Sequence, residues 1–451
     1  MIAPARVAAY EILLAISGGR ADLPSAIARA RASLADERDR ALTSEIATGV
    51  QRWRASLDYM IGHVAKRPIE RLDPEIVEIL RLSGYQLLHL SRVPASAVVD
   101  DAVKLARRAG KRSADGFVNA VLRTISRQRN ALPLPSRPAD PADRAQALEY
   151  FSNTLSHPAW LAARWFDRLG FAAAETWMQF DNAAAPLTLR ANRIRMPPDE
   201  LVSRLRESGV VAARGRFAPD ALIVAEGHPL REPGPEAGWF VVQDEASQLV
   251  ALLAGPSPGK RVLDTCAAPG GKTTAFAGAN REALIVACDI RERRIALLQR
   301  TVAATGAENV ALVQADLLRP LPFPDRFDCV VVDAPCSGLG TLRRDPDIRW
   351  RRHEADLAAL AAAQLTMLRH AAEAVMPGGR LVYATCSSEP EENENVVAAF
   401  LSTVPGFAPL DARQAHPSLP PDTIDNRGHL RTEPHRHGLE GFFGAVLVRQ
   451  T

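Results

Sequence analysis

Several absences narrow the reading of this 451-residue chain. It has no run of about 18 apolar residues, the length a membrane helix requires. Arg6 and Glu11 interrupt the moderately apolar N-terminus, so neither a membrane span nor a cleaved signal is expected, and the chain is expected in the cytoplasm. No Cys-x-x-Cys pair occurs, nor a Cys/His pair at metal-ligand spacing, so no structural zinc or other metal is expected. Five cysteines in so long a chain do not make a disulfide framework. Charge of one sign is also missing: 55 Lys and Arg face 52 Asp and Glu, for a net charge of +3, so the whole-chain balance decides nothing about partners. No repeat or long low-complexity segment appears.

What is present is ample apolar material, 47% of the residues, in a chain long enough for two or three folded units. Residues 1–130 read as an all-helical domain. Val7, Tyr10 and Leu14 share one face, and Asp73-Pro74-Glu75 starts a helix that turns Ile76, Ile79, Leu80 and Leu87 toward a core. The end of this domain carries Lys104, Arg107, Arg108, Lys111, Arg112, Arg123, Arg127 and Arg129 against Asp115 alone. This pattern suits either a phosphate-binding surface or a solvated helix face. Pro133, Pro135, Pro138 and Pro141 mark residues 131–143 as a linker, since neither helix nor sheet propagates through such spacing.

Residues 144–238 read as a small α/β subdomain: helix through Trp160 and Trp165, an extended run at 187–191, a helix near 200–207, and strands at 210–217 and 221–224. From 239 to 451 apolar strands alternate with helices, at Arg261–Asp264, Leu284–Asp289, Val310–Gln314, Phe327–Asp333 and 380–385. The expected fold class is therefore an all-α N-terminal domain plus an α/β Rossmann-like domain with a parallel sheet, joined through the small α/β subdomain.

Ligands of such a sheet bind at the carboxyl ends of its strands. There the first strand runs into Cys266-Ala267-Ala268-Pro269-Gly270-Gly271-Lys272 and then a helix, whose start favours an anionic group. The turn is neither G-x-G-x-x-G nor G-x-x-x-x-G-K-[ST], which removes support from the nicotinamide and nucleoside-triphosphate readings. Asp289 ends the next strand, where a carboxylate can accept from both ribose hydroxyls, and Asp316 follows the third, beside the place of an adenine. Any one such carboxylate could instead be a helix N-cap. Asp264, Asp289 and Asp316 in line make the binding reading the stronger.

The fourth strand leads to Asp333-Ala-Pro-Cys336-Ser-Gly and the fifth to Ala384-Thr-Cys386-Ser. Two cysteines thus meet one sheet edge, whereas Cys288 and Cys329 fall inside strands and read as core. Together with Asp264-Thr-Cys-Ala-Ala-Pro-Gly-Gly-Lys-Thr, these motifs resemble the bacterial small-subunit (16S) ribosomal RNA cytosine-C5 methyltransferases of the Sun type. Val93-Pro94 and Phe117-Val-Asn-Ala-Val-Leu-Arg123 resemble the NusB-like RNA-binding domain that precedes the catalytic domain in that subfamily. The resemblance spans nearly the whole chain. It implies S-adenosyl-L-methionine as methyl donor, no metal, and ribosomal RNA of the small subunit, free or partly assembled, as partner.

By the same resemblance Cys386 attacks carbon 6 of the cytosine, Cys336 assists breakdown of the adduct, and Asp333 serves the cofactor and base pocket. Cys266, Ala267, Ala268, Pro269, Gly270, Gly271, Lys272, Asp289, Asp316 and Asp333 carry over as cofactor contacts. The chemistry agrees: carbon 5 is a poor nucleophile until a thiolate adds at carbon 6, and Cys386 then needs local stabilisation as thiolate. Arg343, Arg344, Arg349, Arg351 and Arg352, around Trp350, are expected to grip phosphates beside a base taken out of its stack, with a packing role for Trp350 as the alternative. Rival readings remain: an amino-group methyltransferase, which lacks here its polar-Pro-Pro-aromatic loop; a non-catalytic assembly protein; and exchanged cysteine roles, as in DNA methyltransferases that attack from Pro-Cys.

Overall fold

The computed structural model describes residues 2–231, 234–235, 237–255, 260–323 and 326–451. The chain divides into two compact units, Met1–Ala184 with Leu342–Arg352, and Ala185–Thr341 with His353–Thr451.

The first unit is helical. Helices Pro4–Ser17, Glu37–Arg52, Arg54–Ala65, Pro74–His89, Ala95–Arg108 and Asp115–Arg127 bury Ala9, Leu13, Ile46, Ile79, Leu80 and Leu122 completely. Each large aliphatic side chain so removed from water contributes about 1.5–3 kcal/mol before ordering entropy is charged against it. Pro74 occupies the first turn of its helix, but Asp73 makes no side-chain cap; its carboxylate pairs with Lys111 at 3.2 Å. The run 131–139 has no regular structure, and its Leu132 and Leu134 lie against the helical core. Helices Ala159–Leu169 and Phe171–Asn182 belong to this unit.

The second unit contains two sheets. Strands β1 (Thr188–Ala191), β2 (Val211–Arg214), β3 (Ala221–Glu226) and β4 (Phe240–Val242) form an antiparallel sheet in the order β2-β3-β1-β4. The larger sheet contains β5 (Arg261–Asp264), β6 (Leu284–Asp289), β7 (Val310–Gln314), β8 (Phe327–Asp333), β9 (Val375–Thr385), β10 (Phe407–Leu410), β11 (Leu430–Thr432) and β12 (Phe442–Arg449). Its order is β10-β12-β9-β8-β5-β6-β7, with β11 beside β12.

The five strands β5 to β9 pair in parallel as expected, and the order reverses between β5 and β8. The sheet is mixed rather than parallel throughout, because β12 runs antiparallel to β9 and carries β10 and β11 antiparallel to itself. The run Phe442–Leu447 is buried at every position, so its lack of alternation reflects a strand covered on both faces. Among the described residues no helix is long and apolar enough to cross a membrane.

Candidate active site

Parallel pairing of β8 and β9 sets Asp333 beside Ala384, so the turns that follow both strands leave the sheet side by side. Backbone bonds stitch them together: Ala334 N–H donates to Ala384 O at 2.8 Å, and Gly340 N–H to Cys386 O at 2.9 Å. The two sulfurs are brought to 3.2 Å, within hydrogen-bond reach. Gly340 is required by contact, since a Cβ there would meet Gly441 O at 1.9 Å.

Two sulfurs this close share a proton economically and two negative charges poorly. The hydrogen bond to Cys386, then burial and the nearby charges of Cys386 and Glu392, hold the Cys336 thiol well above the usual range. Either sulfur can donate in this pair. Lys272 supplies the positive charge: its Nζ lies 2.6 Å from Asp333 Oδ2 and 5.8 Å from the centroid of the Phe442 ring. Burial alone would lower this ammonium, but Asp333 and, more weakly, Cys386 raise it, so it stays protonated.

The turn after β5 lies at the same edge. Gly270 has φ +105° and begins helix Gly271–Ala279. A Cβ at Gly270 would come within 2.8 Å of Leu298, so this glycine admits close packing on helix Glu292–Thr305 as much as approach to a ligand. The buried guanidinium of Arg190 bonds the Gly271 carbonyl and, at 2.8 Å, Thr274 Oγ1, fixing the first helical turn. Asp289 accepts from Ala268 N–H at 3.1 Å and Ile290 N–H at 2.9 Å and pairs with Arg294 at 2.9 Å. Asp316 accepts from Leu318 N–H at 3.0 Å. Asp264, buried, takes the Thr273 hydroxyl at 2.7 Å, and burial pushes its carboxyl up to about 7.

Of the residues singled out in the sequence, Asp333, Cys336, Cys386 and Lys272 converge. Residues 266–271, Asp289 and Asp316 line the ends of the neighbouring strands β5 to β7. Burial pushes the Cys266 thiol far up, which makes it a weak nucleophile, and raises Cys288 and Cys329 within the sheet to about 12.

The arginine cluster differs from expectation. Arg349 is fully buried in the helical unit and donates to Ser156 O and Asn182 Oδ1, both at 3.0 Å, so it cannot reach a phosphate. Arg343 stacks 4.3 Å from the Phe180 ring centroid, Arg351 pairs with Asp347 at 2.9 Å, and Trp350 Nε1 donates to Gln51 O at 2.6 Å. Trp350 thus takes the packing role. The basic stretch of the helical domain is also more balanced than a count of its charges suggests: Asp100 pairs with Lys104 one turn on along the same helix, and other parts of the fold bring Glu11 to Arg108, and Asp73 and Glu75 to Lys111.

Sequence reasoning missed Arg190, Gln364 and Glu392. The only available signal was the acidic run Glu389, Glu391, Glu392 and Glu394 at a short fixed distance from Cys386.

Donor set and fold agree with an adenosyl ligand: a glycine turn and helix start on one side, strand-end carboxylates at the next two strands, and a thiol pair across the switch point. A sheet edge so equipped defines the class as an S-adenosylmethionine-dependent methyltransferase. Residues 251–448 match the family model described as 16S rRNA methyltransferase RsmB/F, residues 3–127 the NusB family, and residues 157–231 the RsmF/B-like ferredoxin-like domain.

The Pseudomonas putida protein named ribosomal RNA small subunit methyltransferase B is 35% identical over 458 residues, covering 98% of this chain and 98% of that one. A Bacillus subtilis protein named probable ribosomal RNA small subunit methyltransferase B is 32% identical over 416 residues, covering 90% of each. The crystal structure of PH0851 superposes with a TM-score of 0.79 at 26% identity, covering 99% of both chains. The chain belongs to the ribosomal RNA small subunit methyltransferase B family.

Proposed function

We propose that this enzyme methylates carbon 5 of a cytosine in small-subunit ribosomal RNA, in the cytoplasm, through a transient bond between Cys386 and carbon 6 of the base. The observation that carries the reading is the thiol pair at 3.2 Å at the edge where Lys272 pairs with Asp333 at 2.6 Å. A nucleophile and a proton carrier are what addition at carbon 6 and later elimination require.

Cys386 sulfur adds to carbon 6, and the electron pair moves to carbon 5. S-adenosylmethionine, when bound, supplies an electrophilic methyl on a sulfonium. A base then takes the carbon 5 proton, that electron pair re-forms the carbon 5–carbon 6 double bond, and the Cys386 sulfur leaves as thiolate; Cys336, once its own proton has passed to solvent, is the sulfur in place to accept the carbon 5 proton. Asp333, held by Lys272, is suited to accept from the cytosine amino group. Asp289 serves the ribose and Asp316 the adenine side, with residues 266–272 along the donor; Arg294 must yield one Asp289 oxygen to a ribose hydroxyl. Exposed Arg112, Arg123, Arg127 and Arg129 of the helical domain remain candidates for phosphate contact.

The test is incubation of small-subunit ribosomal RNA with the full-length protein and methyl-labelled donor, followed by digestion to nucleosides. Label in 5-methylcytidine is expected. Label in another nucleoside, or label spread equally over unrelated RNA, contradicts the proposal.

A further inference from the structure

Glu392, in the short turn Pro390–Glu392 after β9, is fully buried and, among the described residues, paired with no cation. An interior carboxyl without a cation costs several kcal/mol relative to an apolar residue of similar size, so its presence calls for an explanation other than packing.

Its partners come from the two cysteine turns. Oε1 accepts the backbone N–H of Ser337, next to Cys336, at 2.8 Å, and Oε2 accepts the hydroxyl of Ser387, next to Cys386, at 2.5 Å. The two serine hydroxyls lie 3.0 Å apart. Gln364 closes the network from a helix behind: its Nε2 donates to Oε1 at 2.9 Å and to Pro335 O at 3.0 Å, while its Oε1 takes the Tyr383 hydroxyl at 3.1 Å. Every contact to the carboxyl is donated to it, so a carboxylate satisfies all of them at once and an amide cannot.

We propose that Glu392 is a positioning residue that clamps the Cys336 turn to the Cys386 turn, so that Cys336 can act on the covalent adduct at the Cys386 sulfur. This inference rests on the assignment of Cys386 as nucleophile. The same negative charge lies near Cys336 and raises that thiol, so its thiolate, once formed, is the stronger base toward the carbon 5 proton. Without the clamp, addition at Cys386 can still occur, but elimination, which needs both sulfurs in register, is slowed.

Glu392→Gln keeps the shape and one acceptor, but faces Ser387 with a donor. With full-length protein, a small-subunit ribosomal RNA transcript and S-adenosylmethionine, denaturation-stable protein–RNA adduct is expected to rise about tenfold over wild type, at donor affinity within about twofold. A merely structural residue would lower turnover without trapping adduct. Retained donor affinity with no extra adduct overturns the proposal. If Glu392→Gln does not bind the donor, Ser387→Ala, which removes only one arm of the clamp, carries the same test, and absence of adduct there overturns the proposal equally. Cys336→Ala and Cys386→Ala run in parallel: adduct from Cys386→Ala would sink the nucleophile assignment, whereas adduct from Cys336→Ala but none from Glu392→Gln removes only the role of Glu392.

Discussion

The Cys336 thiol, raised first by its hydrogen bond to Cys386 and then by burial, is the one the proposal makes proton carrier, with Cys386 as nucleophile 3.2 Å away. Cys386→Ala is expected to abolish methyl transfer and form no adduct, while Cys336→Ala accumulates adduct; gel analysis after denaturation distinguishes them, and the opposite pattern exchanges the roles. Lys272 pairs with Asp333 at 2.6 Å, so Lys272→Met frees the carboxylate that the proposal sets against the cytosine amino group. The variant should lose methyl transfer by about tenfold, measured with labelled donor. Unchanged methyl transfer would contradict this role of Lys272.

Asp264 provides a stability readout at the same scale. Its carboxyl is raised from 3.8 to about 7, first by burial, with partial relief from the Thr273 hydroxyl. Between those values the folded protein keeps a proton that the unfolded chain has released, so this group's contribution is present at low pH and is lost as pH rises toward 7. Asp264→Asn should therefore melt progressively higher relative to wild type between pH 5 and pH 8, by calorimetry. A constant difference across that range contradicts the assignment.

At the scale of elements, the active edge depends on how closely two turns approach. Gly340 lies where they cross, and Gly340→Ala would drive a Cβ onto Gly441 O and to 2.9 Å from Cys386 O. Overpacking of this kind costs about 1–3 kcal/mol, which denaturant unfolding would register, and methyl transfer should fall more steeply than stability because the sulfurs lose register. Turnover at the wild-type level would contradict the crossing as drawn.

These elements were only partly legible beforehand. The five central strands and the positions of Asp333, Cys336 and Cys386 at their ends follow from local apolar runs and from short motifs. The antiparallel addition of β10 to β12 does not, because nothing in the run Phe442–Arg449 states the direction of its neighbour. Glu392 was hidden for a related reason: its partners Ser337 and Gln364 are 55 and 28 positions away.

At the scale of the whole molecule, the least legible feature is that Leu342–Arg352 belongs to the helical unit although catalytic-unit sequence flanks it on both sides. Five arginines in eleven residues look like a phosphate grip, yet Arg349 satisfies buried acceptors on residues 156 and 182. Net composition cannot separate an arginine that meets RNA from one that meets buried carbonyls, since both need the same fork of donors. Arg349→Met should cost the helical unit about 1–3 kcal/mol for each of those acceptors left unpaired. Hydrogen exchange is expected to show lost protection in helices Ala159–Leu169 and Phe171–Asn182; unchanged protection there would contradict this placement.

The proposed chemistry turns on a sulfur that bonds to a base. Nuclease and protease digestion of the Cys336→Ala protein trapped on small-subunit ribosomal RNA, followed by mass spectrometry, locates that bond directly. A peptide carrying a methylated cytidine on Cys386 is the expected result; a nucleotide joined to any other residue, or no cross-linked peptide at all, contradicts it.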